Sequence, residues 1–391
     1  MPLLFLLSAA TFVVGIGAFA VIGVISPLSR DLGLTPVGAS WIMSSYALAY
    51  AVGSPLLTSA TGRLDRRSVL VIGMALFGLG ILATALATDP TLLYAGRVIT
   101  ALGAGLYSPT AAGVAIAAVP IERRGQALSI VYGGLTLAQV AGVPAGGYLG
   151  YMLGWSQVFW IVALLAAAMT LALALKVPRG IDVAPARLGD LVTTLTTPRL
   201  AGAVLLTASV MCAGWIPYTF LAPIIEEKTG GGAELVALLL VVYGVGSVAG
   251  NALGGFLTDR IGPNRALFVA TVLPLPMMAA VTLIPWQQAW IGGLLLFGWA
   301  SVGWAISVPQ QARLVALDPA RTQVLLSLSA ACIYVGASVG SLVAGFAKSL
   351  GGIPAVGTAA IIAGLIGIAH LTLTVSRERQ AAPGTCPEAG R

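Results

Sequence analysis

The sequence predicts an all-α membrane protein with twelve transmembrane helices, arranged as two six-helix bundles related by a pseudo-twofold repeat. Three observations carry this expectation. Of 391 residues, 58% are hydrophobic and only 8% charged, against about 25% charged in a soluble domain; no soluble core of this length hides so much apolar surface, so lipid has to act as the missing solvent. The apolar residues come in runs of about 20, the length that crosses a bilayer as a helix. Finally, the first half of the chain echoes the second at a nearly constant offset of about 197 residues.

Runs bounded by charge, Pro or Gly clusters place spans 1 to 6 at roughly 3–27, 39–60, 68–88, 92–118, 127–151 and 157–175. Spans 7 to 12 fall at roughly 200–225, 235–257, 266–284, 289–312, 323–347 and 354–375. The opening MPLLFLLSAATF has no basic n-region, and its apolar run outlasts that of a signal peptide, so it reads as a retained first span. KVPRGIDVAPARLGDLVTTLTTPR is the only polar connection of any length. It divides the chain into an N-terminal bundle (1–176), a linker (177–199), a C-terminal bundle (200–376) and a tail (377–391). The 49 glycines follow no collagen-like period and fit close helix packing instead.

Orientation follows from the basic residues. With the N-terminus in the cytoplasm, sixteen Lys and Arg fall in cytoplasmic loops and termini, among them Arg187 and Arg391, and three (Arg30, Lys228, Lys348) fall outside. That asymmetry puts both termini in the cytoplasm. It also explains the formal charge of +7 without a nucleic-acid partner, because the charges sit in short loops rather than along a groove. Cys212, Cys332 and Cys386 have no metal or redox spacing, and no cofactor is expected.

The repeat is specific. At an offset of 197, Tyr46 meets Tyr243, Gly53 meets Gly250, Thr61 meets Thr258 and Arg63 meets Arg260. At 198, Arg123 meets Arg321, Gly142 meets Gly340 and Gly147 meets Gly345; at 196, Pro27 meets Pro223 and Asp31 meets Glu227. Six is an even number of crossings, so both copies begin on the same side and the repeat is parallel.

The loop DRIGPNR (Asp259 to Arg265) resembles the signature loop of major facilitator transporters, which pairs a Gly-permitted turn with a carboxylate and basic gate residues. Its first-half copy, GRLDRR, departs from that pattern: Gly62 stands where the Asp is expected and Asp65 where the Gly is expected. The resemblance implies a gating set of Arg63, Asp65, Arg66, Arg67, Asp259, Arg260 and Arg265, with Asp259 ahead of Asp65. AGRVITALGAG in span 4 resembles the family's Arg motif, with Arg97 inside the membrane. GGLTLAQVAGVPAGGYLG in span 5 is similar to the Gly/Pro motif of antiporters and exporters, with Gly134, Gly142, Pro144, Gly146 and Gly147 matching. Among branches, the chain looks like the bacterial twelve-helix efflux proteins for drugs, sugars or purine nucleosides. Where that branch often carries a Glu, this chain has Ala18, just before Phe19.

Arg97 has two readings: a structural Arg bonded to backbone carbonyls and hydroxyls, or a direct part in substrate or proton coupling. All thirteen acidic residues map to loops or helix ends, with Asp31, Glu226 and Glu227 nearest the spans. Polar and aromatic residues on single helix faces form the expected cavity lining: Phe19, Tyr46, Arg97, Tyr107, Ser108, Gln139, Trp215, Tyr218, Asn251, Trp299, Gln310 and Tyr334. The resemblance implies that spans 1, 4, 7 and 10 line that cavity. Glycines of span 5 are expected to pack the seam between halves, His370 to pack rather than relay protons, and Trp286 and Trp290 to form an outer interfacial belt.

The expected function is secondary transport by alternating access, exporting a small organic solute or drug, with proton antiport as the family expectation. The alternative is an uncoupled carrier of a sugar, nucleoside or organic anion. A polytopic receptor leaves the duplication unexplained, and a membrane enzyme lacks a nucleophile–base pair or metal ligands at depth. The chain is expected to act as a monomer in the bacterial inner membrane.

Overall fold

The computed structural model describes residues 2–120, 123–181 and 188–381; Arg187, Cys386, Arg391 and most of the tail lie outside them. Twelve helical crossings occur among the described residues, and no strand. Spans 1 to 4 are Pro2–Asp31, Pro36–Ala60, Arg66–Ala85 and Pro90–Ala117. Span 5 runs through Arg124–Leu137, Ala138–Gly142 and Val143–Leu153, and span 6 is Trp155–Lys176. A short linker helix, Leu188–Thr196, precedes span 7 (Pro198–Thr219, extended by Leu221–Thr229). Span 8 is Ala233–Ile261, span 9 joins Pro263–Val272 to Pro274–Leu283, and span 10 joins Ala289–Gly303, Trp304–Ile306 and Ser307–Leu317. Spans 11 and 12 share the run Thr322–Ala381, which a turn at Gly351 and Gly352 breaks in two. Gly352 has φ 64°, a left-handed value that glycine adopts without strain.

Ten segments are long and apolar enough to cross a membrane, and one of them holds both spans 11 and 12. Span 2 completes the set. Its 25 residues suffice for a crossing, and its lower hydropathy comes from Ser, Tyr and Gly residues, of which Ser44, Tyr46 and Tyr50 reach the seam between halves.

Side-chain caps set several starts. Thr35 accepts the Gly38 N–H at 3.1 Å, and Asp89 accepts those of Thr91 and Leu92 at 2.8 and 3.1 Å. In both spans Pro occupies the first helical position, where its missing N–H costs nothing. Two spans carry a change of helical pitch: five residues of π-helix at Ala138–Gly142 in span 5 and a 3₁₀ turn at Trp304–Ile306 in span 10. Each rotates the helix beyond it relative to a uniform α-helical register.

The Gly residues of span 5 pack against span 1, inside the N-terminal bundle, rather than between halves. A Cβ on Gly142 would sit 2.5 Å from the Ile16 side chain, one on Gly146 would lie 3.1 Å from Ala20, and one on Gly147 would lie 3.3 Å from the Gly23 backbone. Gly134 abuts the Ser8 carbonyl, and Pro144 is buried beside them. Another face of span 5 meets the other half: Gly244 of span 8 fits against Val140 and the Gln139 carbonyl. Trp286 is also placed otherwise than expected. It is buried, with its Nε1 donating to the Val281 carbonyl at 2.9 Å, whereas Trp290 is 65% exposed as a belt residue would be.

Hydroxyls and one amide stitch the C-terminal bundle around span 7. Gln310 donates to the Ala203 carbonyl (2.8 Å) and Thr207 (3.0 Å), Thr207 meets Ser329 (3.0 Å), Thr219 meets Ser341 (2.8 Å), and Ser209 meets His370 Nδ1 (2.8 Å). In lipid such bonds contribute roughly 0.6–2 kcal/mol each. Where span 1 begins and span 12 ends, a face here called the terminal face, buried Arg313 binds Glu378 at 2.7 Å and ties span 10 to span 12.

Candidate substrate site

Arg97 is fully buried in span 4, seven residues in from its start. Its guanidinium donates to three backbone carbonyls: Nη1 to Gly17 (2.7 Å), Nη2 to Ala18 (3.0 Å) and Nε to Ile42 (3.3 Å). A carbonyl engaged in its helix still has a second lone pair, and the small side chains at Gly17 and Ala18 leave those oxygens within reach. The Tyr46 ring covers the cation at 4.6 Å. Of the two readings, the geometry is that of the structural one: the side chain clamps span 4 to spans 1 and 2. Tyr107 is tied inward too, its hydroxyl donating to the Leu7 carbonyl at 2.9 Å.

The seam between halves runs along spans 2 and 11. Going from the face opposite the termini toward the midplane, Gly345 fits against Ser40 and the Pro36 carbonyl. Next, Ser44 and Ser338 exchange bonds, each hydroxyl donating to the other's carbonyl at 3.0 and 3.2 Å. Then Tyr50 stacks on Tyr334 with centroids 3.8 Å apart, and Tyr46 lies 6.3 Å from both rings. Ser54, Ser108 and Tyr334 lie within hydrogen-bonding reach of the Tyr50 hydroxyl. The Tyr46 hydroxyl is buried without a hydrogen-bond partner.

Helical register shows where the seam parts. Seven residues beyond Tyr334 toward the terminal face, on the same side of span 11, Ser327 is exposed. In the second seam, Gln139 and Gly244 touch; one heptad toward the terminal face, Tyr132 is 45% exposed and Asn251 is exposed. Contacts across the seams thus lie from the midplane toward the opposite face, and seam-side residues of spans 5, 8 and 11 are exposed toward the terminal face.

A chain of rings fills the C-terminal side. Phe19 of span 1 faces Trp215 at 6.2 Å, Trp215 meets Tyr218 edge-on at 5.1 Å, Tyr218 stacks on Tyr243 at 5.1 Å, and Tyr243 meets Trp299 at 5.1 Å. A small apolar cavity of about 60 Å³ lies against Trp215, Tyr218, Tyr243 and Trp299 within the C-terminal bundle. Gln310, expected on the same face as Trp299, points instead into span 7, because the 3₁₀ turn at Trp304–Ile306 changes the register between them.

Of the residues expected to line a cavity, the seam gathers Tyr46, Ser108, Gln139, Asn251 and Tyr334, and the ring chain gathers Phe19, Trp215, Tyr218 and Trp299. Sequence reasoning passed over Tyr50, Ser44 and Ser338. It noted Tyr243 only as the repeat mate of Tyr46, which was the signal that could have placed it.

At the terminal face the loops differ from expectation. Asp65 caps span 3 through the Ser68 N–H (3.3 Å) and accepts the Gly180 N–H (2.9 Å) from the start of the linker. These bonds, the one from Gly180 foremost, hold its carboxyl below the usual range. Arg66 donates to the Gly62 carbonyl at 3.0 Å and Arg67 to that of Ala174 in span 6. Asp259 lies exposed in the last turn of span 8, beside Arg260, which covers the Phe256 ring; Arg63 and Arg265 are exposed. The displaced carboxylate, not the one in the expected place, therefore joins the elements of its half.

At the opposite face a pocket of about 430 Å³ lies between the halves, lined by Ser26, Ser29 and Arg30 on one side and by Glu226, Glu227 and Lys348 on the other. Arg30 and Glu226 pair across it at 3.7 Å. Asp31 is engaged within its own half, accepting from Trp155 Nε1 at 2.9 Å.

A family model described as the Major Facilitator Superfamily matches residues 7–324 and 203–389. A chloramphenicol resistance protein of Streptomyces lividans is 33% identical over 88% of both chains. The inner membrane transport protein YdhP of Escherichia coli K12 is 29% identical over 92% of both. Among solved structures, a bacterial homolog of the human lysosomal transporter Spinster, in an inward-facing and unoccupied conformation, superposes with a TM-score of 0.75 at 17% identity, covering 96% of this chain and 95% of that one.

Proposed function

The chain belongs to the Major Facilitator Superfamily, and on that premise we propose that it exports a small organic solute across the bacterial inner membrane by alternating access. The observation that carries this reading is the asymmetry of the two seams: contacts cross them from the midplane toward one face, and their residues are exposed toward the other, which we read as parting. Two bundles that meet through hydroxyl exchange, ring stacking and one ion pair can rock apart there without breaking either core. With the basic loops in the cytoplasm, the parted face is the inner one and the joined face the outer one. Export is supported by the resistance protein among the relatives.

The test uses paired cysteines, Ser44→Cys with Ser338→Cys, in a protein lacking the native cysteines. Oxidation should lock the outer face, so that a third cysteine at Ser29→Cys stops reacting with a thiol reagent while one at Tyr132→Cys keeps reacting. Unchanged labelling at position 29 in the cross-linked protein would sink the rocking mechanism. Leu64→Cys in intact cells checks orientation: labelling by an impermeant reagent would invert it.

Coupling has a second reading, which one observation favours. A proton-coupled carrier needs a titratable group whose environment changes between states. Among the described residues the only carboxylate bridging the halves is Glu226, at the outer face. That placement supports an uncoupled carrier, with antiport requiring Glu226.

A further inference from the structure

From the pocket between the halves, at the face opposite the terminal face, we infer a second binding site, separate from the central seam, that takes a primary ammonium group on a short apolar chain. The inference goes beyond the transport reading: its ligand binds at that face without having to be carried. Three observations converge on it.

The first is a pair of orphaned polar atoms. Glu226 Oε1 and Ser29 Oγ are buried without a hydrogen-bond partner, and both side chains line this one pocket. They come from opposite halves, Ser29 from span 1 and Glu226 from the extension of span 7. A buried oxygen left unpaired costs free energy that a donor recovers. A hydroxyl can accept as well as donate, and an ammonium group carries three donors around one centre. One such group can therefore serve Ser29 and Glu226 together and bridge the halves. Glu226 Oε2 faces Arg30 at 3.7 Å, so the bridge leaves the existing pair in place.

The second is a cation already seated there. Lys348, near the end of span 11, holds its Nζ 4.5 Å from the centre of the Phe220 ring, in the field of Glu227 and Glu226. A ring face beside carboxylates is the surrounding that holds an alkylammonium. The lysine stem is flexible, which makes its ammonium a tethered competitor at high local concentration. Arg30 and Lys348 together balance the charges of Glu226 and Glu227. A free ammonium enters without excess charge when Lys348 swings out to water.

The third is the rest of the wall. Ile25, Leu34, Ala39 and Pro223 line the same pocket and offer apolar surface to a short alkyl chain beside the charged end. Other ligand classes fit less well. A carboxylate would meet two carboxylates, and a quaternary ammonium has no N–H for either orphaned atom.

The test uses n-butylammonium, protonated at neutral pH as a lysine side chain is, beside n-butyltrimethylammonium, pentanoate and NaCl at equal ionic strength. Protein in nanodiscs, lacking the native cysteines, carries Leu34→Cys on the pocket wall. The rate of its reaction with a neutral thiol reagent reports occupancy, and thermal stabilisation of the wild type is the second readout. Butylammonium should slow labelling and raise the unfolding temperature, with half-saturation in the millimolar range. Lys348→Met should tighten binding about tenfold, because the tethered competitor is gone. Ser29→Ala should weaken it about two- to tenfold, the worth of one hydrogen bond, and Glu226→Gln at least about tenfold, because its bond carries a charge. Arg30→Met removes the pair across the halves but keeps the Glu226 charge, so binding should persist. The assignment is overturned if butylammonium has no effect, or if the quaternary analogue, pentanoate or NaCl matches it. It is equally overturned if Lys348→Met fails to tighten binding, if Ser29→Ala binds unchanged, or if Arg30→Met loses as much as Glu226→Gln. No transport step enters the assay, so its failure leaves the transport reading standing.

Discussion

The two halves of this chain hold the same tyrosine in the same place and surround it differently. Tyr46 and Tyr243 stand 197 residues apart at matching positions of spans 2 and 8. Around Tyr46 the N-terminal bundle keeps a cation, with Arg97 held by carbonyls of spans 1 and 2. Around Tyr243 the C-terminal bundle keeps rings, Tyr218 stacked and Trp299 edge-on. The helix seams, by contrast, have been preserved. Gly53 fits against Leu102 of span 4 and Gly250 against the Ser301 backbone of span 10; Gly142 fits against span 1 and Gly340 against Cys212 and Trp215 of span 7. Glycines that set backbone distance stay fixed because any Cβ there separates two helices. Side chains filling the space between them can change polarity, provided every buried polar atom is matched.

The largest test of that comparison is the cation. Arg97→Ala removes the clamp from three carbonyls and should cut transport at equal expression below about a tenth, with a clear loss of thermal stability. Arg97→Lys should keep a fraction, because one ammonium cannot serve three separated carbonyls as a fork does. The matching change in the other half, Tyr243→Phe, should leave both readouts close to wild type. Equal losses in the two variants would mean that Tyr243 has a polar duty that its ring contacts do not reveal.

The terminal-face loops give the next contrast. Asp65→Asn leaves one acceptor oxygen for the two N–H groups of Ser68 and Gly180, so it should lower transport several-fold and cost about 1 kcal/mol of stability, the worth of one hydrogen bond. Asp259→Asn, on an exposed side chain, should do less. A smaller effect follows for Gln310→Leu, which breaks the span 10 to span 7 bonds: a loss of about 1–2 kcal/mol in thermal unfolding, with substrate selectivity unchanged. A changed selectivity would return Gln310 to the cleft.

The smallest effect concerns pH at the pocket opposite the terminal face, the outer pocket in the orientation proposed above. Burial between the halves raises the Glu226 carboxyl above its ordinary value of 4.5, more than Ser26, Arg30 and Lys348 lower it. When the outer face opens, water restores the ordinary value. Protons therefore bind more tightly to the closed arrangement, and acidification outside stabilises closure. Labelling of Ser29→Cys, taken relative to a freely exposed cysteine because thiolate reactivity itself falls with pH, should slow a few-fold as external pH falls toward 4.5, and Glu226→Gln should flatten that relative slope. An acceleration on acidification would show that the Arg30 pair outweighs burial.

Much of this architecture is legible in the sequence, because hydropathy and the repeat both act over whole helices. The spans and the parallel duplication need no side-chain detail. The ring chain was partly legible, since Trp215 and Tyr218 follow helical spacing in span 7. Three things were hidden, each for a physical reason. Ser44 and Ser338 meet across 294 residues, and span 2 is apolar on the lipid side as well, so its pattern does not mark the seam face. Gln310 was misplaced because the 3₁₀ turn changes the register past Trp304. Asp65 was ranked below Asp259 because motif position was weighed without the linker backbone at Gly180, which supplies its partner.

The carbonyl clamp on Arg97 also bears on how the protein is made. A lone arginine is among the least favourable passengers for a helix leaving the translocon. Gly17, Ala18 and Ile42 all precede Arg97 along the chain, so spans 1 and 2 are synthesised before span 4 arrives. The growing polypeptide thus lays down the receiving oxygens first and the cation second, and span 4 enters a membrane in which its ligands are already waiting. Moving spans 1 and 2 to the far end of the chain by circular permutation would reverse that order and strand the arginine during biogenesis, although the finished fold would hold the same bonds.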